Sequence, residues 1–480
     1  MKRHTQYFNS TLAVAAILLS AVGCTVKPPQ ITPTATPTEF IFSRQGDTLM
    51  VEAVGWWEFF GDTTLNRLVE RAVENNPDII VAASKVLQAQ AELTSVRASL
   101  LPSVGVGVGA QATYAEGSGS NKKSISQQYS LLPKVSWEVD LFGGISGATD
   151  AARASLLATE WGYRGAVLAL EAQVAETYFQ WLQYARSLQI SERSYELRLQ
   201  AQQRTDSLFY YGFASGADLQ QAHSLTATAA ADIPSYRRAM IQTNMVLATL
   251  IGEEPHLLTP PTHTQECSHS QEAGLDGLYC GHLTITPLPL YVASGLPSSM
   301  LERRPDVMEA FYQAEAAAAQ TRVAHAKRFP TFALTGEGGV LAYSLKGLTD
   351  HNPFYWQAVA GLTQPIFNFG GLKAGEEAAV EQWRQAMESY RGTMLQALAD
   401  VESALVAIDT YNSQVERYLD LLEANLKLQQ ITSALYADGL VSYLNVIDAE
   451  RNLYSSQLDY IALLTEQLTA FVTLYKALGG

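Results

Sequence analysis

The sequence predicts an α+β membrane protein in which each chain contributes four β-strands to a barrel shared between chains and long α-helices to a coiled-coil wall. Three observations predict it. The 480-residue chain repeats its own landmarks at an offset of 227 or 228 residues, each repeat carries two segments with a period of two, and each carries two long stretches with a helical period. Composition points the same way. Hydrophobic residues are 47% of the chain and charged residues only 16%, against about a quarter charged in a typical soluble protein. The net charge is −15, and basic residues cluster no further than Lys122–Lys123, Arg237–Arg238 and Arg303–Arg304. Nucleic acid is therefore excluded as a partner, because its phosphates demand a concentrated positive surface.

In chain order, Lys2, Arg3 and His4 precede an apolar run from Leu12 to Leu19 that exits through Ser20-Ala21-Val22-Gly23-Cys24. This reads as a signal peptide over residues 1–23. A cysteine directly after a small residue also reads as a lipobox, with Cys24 acylated as the first mature residue; the alternative is an ordinary secretory signal with an incidental cysteine. Thr25, rather than an acidic residue, follows the cysteine, which favours the outer membrane in lipoprotein sorting. Residues 24–47 form a lipidated tether in which Pro and Thr alternate from Pro28 to Thr38, a semi-extended composition with no core to join.

The duplication covers residues 48–252 and 302–480. Asn75-Asn76-Pro77-Asp78-Ile79 matches Arg303-Arg304-Pro305-Asp306-Val307, Asp140-Leu141-Phe142-Gly143-Gly144 matches Phe367-Asn368-Phe369-Gly370-Gly371, and Tyr211-Gly212-Phe213-Ala214-Ser215 matches Asp438-Gly439-Leu440-Val441-Ser442. Each repeat opens with a helix of some 35 residues starting at Pro77-Asp78 or Pro305-Asp306, since proline suits the first helical turn and an acid suits the helix N-terminus. It ends at a second proline, Pro102 or Pro330. Two strands follow. Val104, Val106, Val108 and Ala110 alternate with glycines, and Leu131, Pro133, Val135, Trp137, Val139 and Leu141 alternate with Lys134, Ser136, Glu138 and Asp140; Phe332 with Leu334, and Phe354, Trp356, Ala358, Ala360 and Leu362, play the same part in the second repeat. The loops from Glu116 to Ser126 and from Ser344 to Asn352 are polar.

After the paired glycines the period becomes helical for about 65 residues, roughly 100 Å of helix. Met394, Leu398, Val401, Leu405, Ile408, Asn412, Val415, Leu419, Leu422 and Leu426 fall at steps of four and three, a heptad seam with one polar position. A turn at Tyr211-Gly212 or Asp438-Gly439 reverses the chain into a helix of some 38 residues, on which Ile447, Arg451, Tyr454, Leu458, Ile461, Thr465, Leu468 and Val472 continue the spacing. Such stripes equally suit an ordinary helical core. What favours a shared barrel is strand number: four strands are too few for a barrel, and two open edges are prohibitive in lipid. Strand count alone permits two, three or four chains.

Residues 253–301 form an insertion holding Cys267 and Cys280 among turn formers and histidines. In an exported protein two remaining cysteines read as a disulfide closing a surface loop; a two-Cys, two-His metal site or free thiols are the alternatives, and the spacing fits no common zinc template. Gly105-Val106-Gly107-Val108-Gly109 opens no helix and is no phosphate loop. No catalytic constellation, no cofactor motif and no metal site emerges.

Further motifs carry a family resemblance: Cys24, Trp56-Trp57-Glu58-Phe59-Phe60-Gly61-Asp62, Glu302-Arg303-Arg304-Pro305-Asp306-Val307, Gln364-Pro365-Ile366-Phe367-Asn368-Phe369-Gly370-Gly371, Leu444-Asn445-Val446-Ile447-Asp448-Ala449 and the C-terminal Leu474-Tyr475-Lys476-Ala477-Leu478-Gly479-Gly480. With these the chain resembles TolC-type outer-membrane factors, in the lipidated OprM/NodT branch of tripartite efflux systems. The resemblance implies a homotrimer with a 12-stranded barrel, a helical periplasmic tunnel and a mixed equatorial belt built from about Thr48 to Asp62, Glu253 to Leu301 and the C-terminus. It implies a channel without enzymatic activity, exporting drugs or other small molecules. The expected partners are a periplasmic adaptor (a membrane fusion protein), an inner-membrane pump, and outer-membrane lipid through Cys24. It places Leu444 and Asp448 in constriction rings at the periplasmic gate, with Asn445 where non-lipidated relatives carry a second Asp. It makes Gly212, Ser215, Gly439 and Ser442 the adaptor-docking tips. Two alternatives stay open: a protein-secretion duct of the same fold, and a lipid-anchored periplasmic coiled coil without a pore. A metal-responsive His and Cys belt is a weaker fourth reading.

Overall fold

A computed structural model describes residues 40–41, 55–116, 123–258, 300–344, 346–348 and 354–480. The signal peptide, Cys24, Cys267, Cys280, nearly all of the tether and most of the 253–301 insertion lie outside the described residues. A 3-10 turn, Trp56–Phe60, precedes α1 (Thr63–Asn75), α2 (Pro77–Ala98), β1 (Ser103–Glu116), β2 (Lys123–Val139), α3 (Gly144–Tyr210) and α4 (Gly216–Leu250). The second repeat runs α5 (Pro305–Ala326), β3 (Thr331–Ala342), β4 (Phe354–Thr363), α6 (Gly371–Ala437) and α7 (Tyr443–Leu478). Two compact units result, and both repeats contribute to each.

The expected first helix of each repeat is shorter than some 35 residues: α2 and α5 span 22 residues each. Proline disfavours helical backbone in the residue before it, so the chain unwinds through tighter i to i+3 bonds ahead of Pro102 and Pro330. Leu100 N–H donates to the Arg97 carbonyl at 3.1 Å, and Arg328 N–H to the His325 carbonyl at 3.0 Å.

The first unit, Ser84–Trp161 with Glu309–Gly392, carries the sheet. Its four strands pair antiparallel in the order β1-β2-β3-β4. The two hairpins share one register: Ser103 faces Ser136 and Thr331 faces Thr363, so Thr331 lies 228 residues after Ser103 and Thr363 lies 227 after Ser136. Side-chain bonds repeat with it. Trp137 Nε1 donates to the Leu100 carbonyl at 3.0 Å, and Gln364 Nε2 to the Arg328 carbonyl at 3.0 Å. Because strand residues alternate between faces, this register gathers Val104, Val106, Val108, Leu131, Val135, Trp137, Phe354, Trp356 and Leu362 on one face, where all are exposed. Gly105, Gly107, Lys134, Ser136, Thr335, Glu337 and Gln357 share the other. The outer strands β1 and β4 leave one edge each without a strand partner.

The second unit, Ala35–Ala83 with Gly162–Met308 and Thr393–Gly480, is helical where described. The seam of α6 from Met394 to Leu426 is buried or half-buried at every predicted position. Its polar position is satisfied, because Gln467 Nε2 donates to Asn412 Oδ1 at 2.6 Å. The return helix α7 is long and apolar enough to cross a membrane by length and composition, but Ile461, Leu464, Leu468, Phe471, Val472 and Leu474 are buried in the unit. Tyr454 ties three helices together: its hydroxyl donates to Asp232 Oδ2 at 2.9 Å and lies 2.8 Å from Ser191 Oγ, while the Arg198 guanidinium sits 4.8 Å over its ring.

Two further features anchor this unit. Asp62 caps α1, its Oδ1 accepting from Thr64 N–H at 2.7 Å, and its Oδ2 accepts from the buried Tyr178 hydroxyl at 2.5 Å. Next to it Trp56, buried, stacks on Tyr475 at 5.7 Å and donates from Nε1 to Glu171 Oε2 at 3.2 Å. Burial pushes the Glu171 carboxyl up to about 7, with the Trp56 bond opposing it. At the far ends of α4 and α7 the repeats again coincide: Asn76 Nδ2 donates to the Leu250 carbonyl at 2.9 Å and an Arg304 Nη1 to the Ala477 carbonyl at 3.1 Å. The glycines that follow, Gly252 and Gly479, take φ of 73° and 99°.

Two outcomes are expected. At Gly252 an added Cβ meets the Asn75 carbonyl oxygen at 2.4 Å, whereas at Gly212, with φ 77°, it meets nothing within 4 Å. Gly212→Ala should therefore lose only the left-handed backbone penalty of about 1–2 kcal/mol, and Gly252→Ala clearly more, as read by thermal unfolding. Glu171, folded, holds its proton to about 7, while unfolded it releases it near 4.3. Its contribution to stability is thus full below the unfolded value and falls as pH rises through the folded one. Glu171→Gln should flatten the decline in unfolding temperature between about pH 4.5 and 7.

Candidate functional site

The residues expected to gate and to dock lie on two helical turns built to one plan. At the first, Gly212 N–H donates to the Phe209 carbonyl at 3.0 Å and Phe213 N–H to the Leu208 carbonyl at 2.7 Å. At the second, Gly439 N–H donates to the Tyr436 carbonyl and Leu440 N–H to the Leu435 carbonyl, both at 2.9 Å. This paired pattern closes a helix with a left-handed residue, which glycine supplies at φ 77° and 73°. Each closure leaves an apolar side chain in the open: Phe213 and Leu440 are exposed, as are Tyr210 and Tyr211. These residues were not singled out from the sequence, although Phe213 and Leu440 occupy equivalent positions of the repeat.

The starts of the return helices differ. Ser215 caps α4 through a reciprocal box: Asp218 N–H donates to Ser215 Oγ at 3.1 Å and Ser215 N–H to Asp218 Oδ2 at 3.0 Å. Ser442 stands at the same place before α7 without a side-chain cap bond. Asn445, exposed, replaces the acid of the box, and its Oδ1 lies 3.5 Å from Ser442 Oγ. Leu444 beside it is 49% exposed. Tyr443 and Val446 face the other way, buried against Ala222 of α4 with Tyr436 and Ile447 packed around them. So the first turn of α7 has one side fixed to α4 and another, bearing Leu444, Asn445 and Asp448, that is not.

Asp448 is half-buried and accepts from an Arg451 Nη2 at 3.0 Å, an i,i+3 pair on one helix. Arg451 belongs to the predicted stripe, yet its pairing was not foreseen. Two turns deeper, burial raises the Glu450 carboxyl while Arg198 opposes that rise. Among the described residues no group of three or more His, Cys, Asp or Glu is arranged to hold a metal ion.

Comparison with known proteins places these features. The model of the family described as "Outer membrane efflux protein" matches residues 68–253 and 296–480, both halves of the duplication. The probable efflux pump outer membrane protein TtgC of Pseudomonas putida is 32% identical over 483 residues, covering 98% of this chain and 95% of that protein. The probable outer membrane lipoprotein SilC of Salmonella typhimurium is 29% identical over 477 residues, with 98% of each chain covered. Among solved structures, the open state of the Neisseria gonorrhoeae MtrE outer membrane channel superposes with a TM-score of 0.83 at 25% identity, covering 95% of this chain and 98% of that one. The chain therefore belongs to the outer membrane efflux protein family, the outer-membrane factors of the TolC/OprM type, and is an efflux channel of the outer membrane.

Proposed function

We propose that three copies of this chain close a 12-stranded barrel and a helical periplasmic tunnel, and that this trimer is the outer-membrane duct of a tripartite pump for drugs or other small molecules. One observation carries the reading: a four-stranded sheet with an apolar exposed face and two unpaired edges is unstable in lipid until other strands close it. The chain supplies no chemistry of its own in this reading. Energy and selection come from an inner-membrane pump, reached through a periplasmic adaptor. Exposed Phe213 and Leu440, each next to a left-handed glycine, support docking of the adaptor at the two tips around Gly212, Ser215, Gly439 and Ser442. Cys24 tethers residues 24–47 to the membrane after loss of residues 1–23, and the insertion 253–301, with Cys267 and Cys280 oxidised to a disulfide, joins an equatorial belt.

Leu444, Asn445 and Asp448 form the periplasmic gate. A ring of three leucines plugs the axis against hydrated solutes, and a ring of three carboxylates favours cations. The Arg451 partner at 3.0 Å offsets part of that ring's charge, so the leucine ring is the steeper barrier. The uncapped first turn of α7 supports a gate that opens at this tip rather than at the boxed Ser215 tip.

Leu444→Ala combined with Asp448→Ala should raise single-channel conductance in planar bilayers severalfold. Conductance unchanged from the parent removes both residues from the gate. Gly439→Trp should reduce drug efflux to that of a strain lacking the channel while leaving the trimer intact on native electrophoresis; normal resistance would exclude this tip from docking.

A further inference from the structure

Within one chain the second repeat is seated on the first through contacts whose counterparts are empty. Phe142 of the first repeat stacks on Phe329 of the second, with centroids 4.9 Å apart and planes at 14°. Moved on by one repeat, the same positions are Phe369 and Leu101, which are 91% and 67% exposed. A Cβ on Gly144 would meet Ala326 Cβ at 3.3 Å, and one on Gly165 would meet Pro305 Cβ at 3.4 Å. The repeat-equivalents of these glycines, Gly371 and Gly392, have nothing within 4 Å, and the equivalents of Ala326 and Pro305 are Ala98 and Pro77. Glycine inside a helix destabilises it by about 1 kcal/mol relative to alanine. Its retention at a position that is open in the single chain is accounted for by a surface that covers it.

We propose that each copy docks on the next through the surface that joins its own two halves, so that β4 pairs with β1 of the next copy in a defined register. The β2–β3 junction inside the chain sets it: Val135 faces Gly336 and Ser136 faces Thr335. Carried on by the offsets of the two hairpins, Leu362 faces Val108, Thr363 faces Gly107, Gly361 faces Gly109 and Trp356 faces Tyr114 of the next copy. The register passes a test it was not built to satisfy. Leu362, Val108, Trp356 and Tyr114 all belong to the apolar face, while Thr363, Gly107, Gly361 and Gly109 all belong to the other. A slip of one residue would reverse every one of them. Below the sheet, Phe369 covers Leu101, Gly371 receives Ala98 and Gly392 receives Pro77. The ion pair between Arg322 and Asp150 has no counterpart, because those positions become Thr94 and Glu377. The interface between copies is thus more apolar there than the one within the chain.

This inference rests on the shared-barrel reading, and disulfide trapping in the full-length protein separates the two. In a background with Cys267 and Cys280 changed to serine, Leu362→Cys with Val108→Cys should oxidise to covalent trimers in isolated outer membranes. Three strand spacings separate β1 from β4 within a chain, about 14 Å, so such a bond forms only between copies, given a Cα separation limit of about 6.8 Å. Leu362→Cys paired with Val106→Cys or Ala110→Cys should link severalfold less. Stronger linking of either slipped pair, or no linking in a background that still runs as a trimer, overturns the register. A background protein that stays monomeric in the membrane overturns the shared barrel itself. Independently, Gly392→Leu should abolish the trimer without loss of helical circular dichroism; an unaffected trimer would sink the Gly392 to Pro77 contact.

Discussion

The rest of the structure follows from the unpaired backbone groups along β1 and β4. In hydrocarbon each such N–H or carbonyl costs several kcal/mol when left without a partner, a penalty that no arrangement of four strands removes. Closure has to come from other chains, and the strands must then reach across the membrane without help from loops. Their lengths of 14, 17, 12 and 10 residues suffice, since a tilted strand crosses in about 9–11. The apolar face and the polar face then have distinct surroundings, lipid outside and a wet lumen inside, which is why the period of two is so regular in these segments and absent elsewhere.

Duplication has preserved backbone geometry while side chains diverged around it. Trp137 and Gln364 share no chemistry beyond an N–H, yet each donates to the carbonyl at the end of the preceding helix. Asn76 and Arg304 likewise cap the same helix end, but the guanidinium reaches further, to Asp306 at 2.6 Å and Asp400 at 3.1 Å. The two tips diverged in the opposite sense. Replacement of Asp218 by Asn445 at the equivalent position removes a reciprocal cap, an interaction of about 1 kcal/mol. The weaker start belongs to the helix that carries Leu444 and Asp448. A gate on that helix has less local structure to undo than one at the boxed tip would have.

Much of the fold was legible because long elements impose long patterns. The glycine-valine alternation of β1, the four-three seam of α6 and the constant offset each sum many weak preferences into one signal. What escaped was short-range. Proline marks the limit of α2 and α5 but not the turn of tighter bonds that ends them early. Asp448 and Arg451 stand three apart on a helix, a spacing at which a pair is permitted but not required. The burial of Tyr443 beside the exposure of Leu444 depends on Ala222 across a helix pair, a neighbour 221 residues away in sequence that no local pattern reports.

The unusual composition has two separate origins, and they oppose each other in the single chain. In the helical unit, α7 buries an apolar surface fit for a membrane against other helices. In the sheet, Val104, Val106, Val108, Phe354 and Trp356 are exposed, with lipid as their solvent. Apolar residues at Ile366, Phe367 and Phe369 are exposed as well, at 76% or more, yet they follow β4 and sit at the foot of the sheet, where Phe369 adopts the one positive φ among described non-glycine residues, 53°. Strained backbone of this kind persists only where surroundings over-determine it. The single chain supplies no such surroundings at Phe369, whereas at the equivalent Phe142 it supplies Phe329. The constraint that holds Phe369 in place therefore belongs to the assembly, and the sheet edge and the loop below it are completed by the same neighbour.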